Sequence, residues 1–175
     1  MRSDIACVAA VTAEELAVHH RIRHQVFVEE QRLFDGSDVD GHDAAPDVIR
    51  VLGLSRSVPA GTVRLFPLGP GDGLWQGDRL AVLPAFRAHG LGAPLVRFAV
   101  ATAAGLGGRE MVAHIQLPNV SFFEHLGWEK GGDVEAYVGV PHQPMAIDLT
   151  AVRRAASDKA VSSGASTRGR VSARR

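Results

Sequence analysis

Arg87, Gly90 and Gly92 have the types and spacing that suit the holding of a phosphate group. They follow Leu80-Ala81-Val82-Leu83, a short buried-strand run, and Pro84 ends that run because it has no N–H to give a ladder. Beyond them, from Ala93 to Leu106, Leu95, Phe98, Ala99, Thr102 and Leu106 recur at helical spacing. Glycine at two alternate positions before a helix lets backbone approach a ligand closely. The free N–H groups of the helix's first turn carry partial positive charge, which makes an anion site. The loop lacks the Gly-Lys-Ser/Thr of a Mg-triphosphate loop and the first glycine of G-x-G-x-x-G.

Metal chemistry has little to stand on. There is no Cys-x-x-Cys pair, and Asp35, Asp38, Asp40 and Asp43 lack the closing bidentate glutamate of a calcium loop, with Gly36 and Gly41 misplaced for one. No metal is expected.

The elements that must position the loop can be traced along the chain. Asp4 to Val11 reads as a strand, and Thr12-Ala13-Glu14-Glu15 as a capping box opening a helix that carries Leu16, Ile22, Val26 and Phe27. Residues 36–46 read as acidic loop. Val48 to Leu54 and Thr62 to Leu68 read as a hairpin turning at Val58-Pro59-Ala60-Gly61. Leu74 to Leu83 is a fourth strand, followed by the long helix. Met111 to Gln116 is a fifth strand and Val120 to Leu126 a short helix, and Val134 to Val138 with Met145 to Leu149 closes the sheet. The order predicts an α+β fold of three layers, with a mixed sheet and helices on both faces.

At 175 residues and 46% hydrophobic content, one domain over residues 1–150 is expected. No apolar run reaches the roughly 18 residues of a membrane span, no secretory signal precedes Asp4, and Cys7 is the only cysteine. Those features predict a cytoplasmic protein with no membrane partner. Residues 151–175 carry seven Lys or Arg against Asp158 alone, with almost nothing large and apolar, and are expected to be a disordered basic tail to which no nucleic-acid role is assigned.

The R-x-x-G-x-G run resembles the pyrophosphate loop of the GNAT superfamily of acyl-CoA-dependent N-acetyltransferases. Asn119-Val120-Ser121-Phe122-Phe123-Glu124-His125-Leu126-Gly127-Trp128 resembles a second signature of that family. Val26 to Gln31, VFVEEQ, and Gly139 to Met145, GVPHQPM, resemble its ElaA-type bacterial branch. The resemblance covers residues 4 to 150, and it implies a sheet splayed between the fourth and fifth strands, with acetyl-CoA as co-substrate in the opening.

By that resemblance, Leu80, Ala81 and Val82 pair with the pantetheine arm like an added strand. The segment Arg87, Ala88, His89, Gly90, Leu91, Gly92 and Ala93 holds the pyrophosphate, while Asn119, Phe122 and Phe123 line the thiol end. The implied reaction is direct transfer of an acetyl group to a primary amine of a small molecule, and the family's frequent dimers suggest a homodimer by analogy. Many members use a tyrosine of the short helix as acid, but this chain has Phe123 there, and Tyr137 is the only tyrosine. Candidate catalytic residues are therefore Glu30, His114 and Tyr137, with Glu29, Gln31, Gln116 and His142 around the acceptor. Seven acidic residues against one arginine between Glu29 and Asp47 suggest a negative rim that steers a cationic amine. A non-catalytic acyl-CoA binder or sensor, and an interaction module using the basic tail, are the alternatives.

Overall fold

The computed structural model describes residues 4–165. The capping box at Thr12 forms as expected: Thr12 Oγ1 accepts from the Glu15 amide at 3.1 Å, and Glu15 Oε2 accepts from the Thr12 amide at 3.0 Å. It starts α1 (Ala13–Arg23), preceded by β1 (Ile5–Ala9). The helix does not stop at Arg23. It widens over His24–Glu30 into π-type turns, with the Gln31 amide reaching back to the Val26 carbonyl at 2.9 Å. Widening rotates the last turn so that Phe27 and Gln31 face the sheet's central opening.

β2 (Ile49–Ser55) and β3 (Val58–Pro67) form a hairpin whose turn is Arg56-Ser57, both at positive φ, and not Val58 to Gly61. Gly61 is inside the strand for a packing reason. A Cβ there would stand 2.8 Å from Leu95 and 3.0 Å from the Ala81 carbonyl, so the glycine lets the next helix lie against the sheet.

β4 (Leu74–Val82), α2 (Gly92–Gly105), β5 (Glu110–Gln116), α3 (Val120–His125), β6 (Glu129–Lys130), β7 (Glu135–Tyr137) and β8 (Val140–Asp148) complete the sheet. Its path is β1-β2-β3-β4-β5-β8-β6, with β7 on β8. Every pairing is antiparallel except β4 with β5, which is parallel and lasts only from Leu74↔Glu110 to Gln76↔Val112. Beyond Gln76 the two strands part. This is the predicted α+β fold with its mixed sheet.

Two apolar clusters hold the layers together. Leu95, Val96, Ala99 and Ala103 of α2 bury against Val51, Leu65, Trp75 and Met111 on one face. Ile22, Val26 and Phe27 bury against Leu52 and Ala81 on the other. The segment from residue 151, expected without structure, instead starts within α4 (Leu149–Ala165). Arg153 donates to the carbonyls of Ala104 and Gly108 at 2.9 and 3.1 Å, satisfying groups at the end of α2. Residues 166–175 of that segment lie outside the described residues.

Candidate active site

Where β4 and β5 part, a cleft with about 950 Å³ of empty space, some of it open to solvent, passes between the strands and reaches both faces of the sheet. The α2 side is lined by Val63, Gly77, Val96, Ala99, Met111, Phe123 and Trp128; the α1 side carries Phe34, Asp78, Arg79, His114, Tyr137 and His142.

The glycine loop before α2 keeps the expected local form. Pro84–His89 is a 3₁₀ turn, Gly90 ends it at φ 76°, and α2 begins at Gly92 with no side chain capping its N-terminus. Ala88 and Ala93 flank the two glycines, and Leu91 buries its side chain in the core, leaving backbone to face outward. Phe122 edges onto Phe123 and lies beside Gly92, with 3.4 Å between its ring and a notional Cβ there. His89 turns back to Ser55, with Nδ1 2.8 Å from the hydroxyl, and packs edge-on against Phe86. The loop is thus tied to β2 from behind.

Arg87 is half-exposed, but its guanidinium is engaged within the protein. Its Nε donates to the Val82 carbonyl at 3.1 Å, and the rest of the guanidinium grips Glu30 in a two-point pair at 2.7 and 2.5 Å. That hydrogen bonding holds the Glu30 carboxyl below its ordinary range, so Glu30 is a poor base. It does not line the cleft. Glu29 lies outside the cleft as well, mostly exposed and 3.7 Å from His24. Both glutamates are thereby removed from the expected roles, in which Glu30 was the base.

The other candidates converge. The His114 and Tyr137 rings stack in parallel, 2° apart in plane and 5.1 Å between centroids. Glu135 Oε1 lies 3.0 Å from His114 Nδ1, without the alignment of a hydrogen bond. His142, buried, donates from Nδ1 to the Val140 carbonyl at 2.7 Å and packs edge-on against Tyr137. Gln116 donates to Gln31 at 3.1 Å, joining β5 to the end of the widened helix. Asn119 lines the cleft at the start of α3. The edge Leu80, Ala81 and Val82 stands free of β5, because the parallel ladder has ended by then.

Sequence reasoning missed the charge cluster behind these groups. Arg23 binds Asp38 at 2.7 Å and both oxygens of Asp43 at 2.7 and 2.9 Å. Arg64 binds Asp78 and Asp40 in two-point pairs between 2.7 and 3.0 Å and reaches Asp43 at 2.9 Å. Arg79 binds Asp38 at 3.0 Å and places Nη1 3.4 Å from the Tyr137 hydroxyl, with its guanidinium 4.6 Å from the centre of the Phe34 ring. Arg23 and Arg64 are fully buried. Burial opposes charge at Asp43, but the hydrogen bonds and charge of Arg23 outweigh it and hold that carboxyl well below the carboxylate range. Asp38, Asp40 and Asp43, expected in a free negative rim, are therefore consumed as partners of buried arginines.

Arg79 reaches this position through an irregularity. The β3–β4 register shifts between Thr62 and Arg64, and Arg79 takes φ 53°, an uncommon conformation for a side-chain-bearing residue. Thr62 Oγ1 supports it by donating to the Arg79 carbonyl at 2.9 Å. The bulge puts Asp78 and Arg79 to work on the same charge cluster. No residue type at 79 announces it.

Among the described residues no group of three or more His, Cys, Asp or Glu could hold a metal ion, and no helix is long and apolar enough to cross a membrane. His20 and His24 stand four apart on α1, a spacing that suits zinc, yet they find no third ligand.

Comparison with known proteins agrees with this fold. The N-acetyltransferase YjcF of Bacillus subtilis, itself uncharacterized, is 27% identical over 142 residues, covering 81% of this chain and 98% of its own length. The crystal structure of ElaA from Escherichia coli superposes with a TM-score of 0.72 at 21% identity, over 82% of this chain and 98% of that one. An acyl-CoA N-acyltransferase from Pseudomonas aeruginosa gives 0.70 at 23% identity, over 82% and 97%. Residues 12–128, which hold α1, the open β4 edge, the glycine loop and α3, match the Acetyltransferase (GNAT) family, and the chain belongs to that family of acyl-CoA-dependent N-acyltransferases.

Proposed function

We propose that the chain transfers an acyl group, acetyl in its smallest form, from acyl-coenzyme A directly to the primary amine of a small molecule. One observation supports this above the others. A single cleft through the sheet has Leu80, Asn119 and Phe123 on its lining together with the stacked His114–Tyr137 pair, and the uncapped helix start at Gly92 lies beside Phe122, which packs edge-on against Phe123.

The co-substrate supplies an acyl group already activated as a thioester. The residues that would hold it are the free edge of Leu80, Ala81 and Val82, the backbone from Ala88 to Ala93, and Asn119. The N–H groups opening α2 suit a pyrophosphate, and Arg87 and His89 serve by fixing the loop rather than by touching phosphate. The Leu80 amide polarises the thioester carbonyl, a contact worth about 3–4 kcal/mol in comparable oxyanion sites.

On the α1 side an amine with a pKa near 10 arrives protonated. The unprotonated ring nitrogen of neutral His114 takes the ammonium proton, directly or through water. Tyr137 accepts a hydrogen bond from Arg79, which leaves its own proton for the departing thiolate. It stands in for the tyrosine that Phe123 displaces from α3. Gln31, Gln116 and His142 complete the acceptor's surroundings.

The test is thiol release from acyl-CoA against a panel of small primary amines. Turnover is expected for the wild type. His114→Gln and Tyr137→Phe should each lower kcat about a hundredfold while leaving donor affinity within a few fold. Donor binding with no turnover on any amine would favour the non-catalytic binder.

A further inference from the structure

Resting on the acyl-CoA reading, the cleft's depth bears on which acyl group it takes. The thioester belongs beside Leu80, where the free edge of β4 starts to serve the donor. The cleft continues down the strand to Gly77, three residues further, which is about 10 Å at 3.3 Å per residue. A two-carbon group leaves most of that depth unfilled.

The lining of this deeper arm is apolar except for one buried indole N–H, Trp128 Nε1, which makes no hydrogen bond. Met111, Val96, Ala99, Phe123 and Trp128 form it, each buried and none charged. Two positions facing it carry almost no side chain. Gly77 contributes only backbone from β4, and Ala99 only a methyl from α2, while the residues around them are large. A Cβ at Gly77 would come within 3.3 Å of the Met111 sulfur, so a methyl there presses on Met111 and displaces that side chain toward the arm. Apolar space of this sort holds water poorly and favours an apolar occupant. The arm is also separate from the charge cluster, which lies on the α1 face.

We infer that the arm is an acyl-chain site and that the preferred donor carries an unbranched aliphatic acyl group of about four to eight carbons rather than acetyl. The chain enters from the thioester, runs between β4 and β5 past Gly77 and Ala99, and ends against Met111 and Trp128. Each further buried methylene adds affinity until the arm is full, after which affinity falls.

Calorimetric titration of the wild type with acetyl-, butyryl-, hexanoyl-, octanoyl- and dodecanoyl-CoA tests this without any variant. Affinity is expected to rise at least tenfold from acetyl to butyryl or hexanoyl and to drop again at dodecanoyl. Ala99→Leu and Gly77→Ala, each confirmed folded by circular dichroism, should cut the hexanoyl-to-acetyl affinity ratio at least tenfold and threefold. Acetyl-CoA binding as tightly as the longer donors, or a ratio unmoved in both folded variants, would overturn the acyl-chain site while leaving the acyltransferase reading intact. Failure of every donor, acetyl included, would instead overturn the donor site on which it rests.

Discussion

The two walls of the cleft are held in shape by opposite means. On the α1 face Arg23, Arg64 and Arg79 interlock with Asp38, Asp40, Asp43 and Asp78, most of them out of water. On the α2 face Val96, Ala99, Met111, Phe123 and Trp128 meet with no charge among them. A charged wall of this kind has few alternative arrangements, since moving one group strands another's charge in a low-dielectric interior. An apolar wall adjusts by changing volume, at a cost that grows with the mismatch. On the proposed function, the charged wall fixes the acceptor side, where a nucleophile must meet a carbonyl in one orientation, and the apolar wall leaves shape to select on the donor side.

Breaking one wall and then the other should show the difference. Arg64→Met leaves Asp78, Asp40 and Asp43 short of a partner, and chemical denaturation should register a loss of about 3–5 kcal/mol. Met111→Leu on the apolar wall should cost under about 1.5 kcal/mol in the same measurement. If the two losses are equal, the contrast fails.

The chemistry comes next in size. The hundredfold drop expected for His114→Gln, about 2.7 kcal/mol of barrier, should appear in kcat with donor affinity nearly unchanged. A matching rise in KM for the donor would place His114 in binding instead.

Acid sharpens the comparison further. His19 is fully buried beside the charged wall, and burial, reinforced by the Arg23 charge, pushes its pKa down to about 3. The folded value lies below the unfolded one near 6.5, so protons favour the unfolded chain. Its contribution is complete above pH 6.5 and is lost as pH falls from there toward 3, at up to about 1.4 kcal/mol per unit. Asp43 acts lower, since its depressed carboxyl stabilises above the usual carboxylate range and loses that effect as the pH drops through and below it. Unfolding free energies should fall as the pH drops from 7 to 5, with His20, also lowered by burial, adding to His19, and His19→Leu should reduce that slope without abolishing it.

The smallest effect lies away from both walls. Arg153→Ala removes two hydrogen bonds to the end of α2 and should cost about 1 kcal/mol by denaturation. Donor affinity should not change.

The same contrast explains what could be read from the chain alone. The glycine loop, the strand before it and the Thr12 capping box announce themselves within a few residues, because turns and caps are local chemistry. The arginine cluster does not. Arg23 meets partners 15 and 20 positions on, and Arg79 enters through a bulge whose φ of 53° no residue type foretells. The aspartates drew attention as a run, but nothing nearby said which basic residues would claim them. Gly61 was read as a turn when it serves close packing, since both needs select the same residue. The basic segment looked unable to fold because its apolar content is low, yet Arg153 finds carbonyls to satisfy some 45 residues back. Tyr137 and His114 were each legible as candidates. Their stacking belongs to the pairing of β7 and β5 with β8 and has no trace in spacing.

On the proposed function the acyl donor docks on backbone at the glycine loop. Gly90 lies in that loop at φ 76° with open space beside it, so tryptophan at this position strains the backbone and covers the loop's N–H groups. Calorimetry with acyl-CoA on the wild type and on folded Gly90→Trp is the direct measurement. Micromolar binding by the wild type and at least a hundredfold loss in the variant are expected; equal affinity in both proteins, or no binding by the wild type, would overturn the donor site.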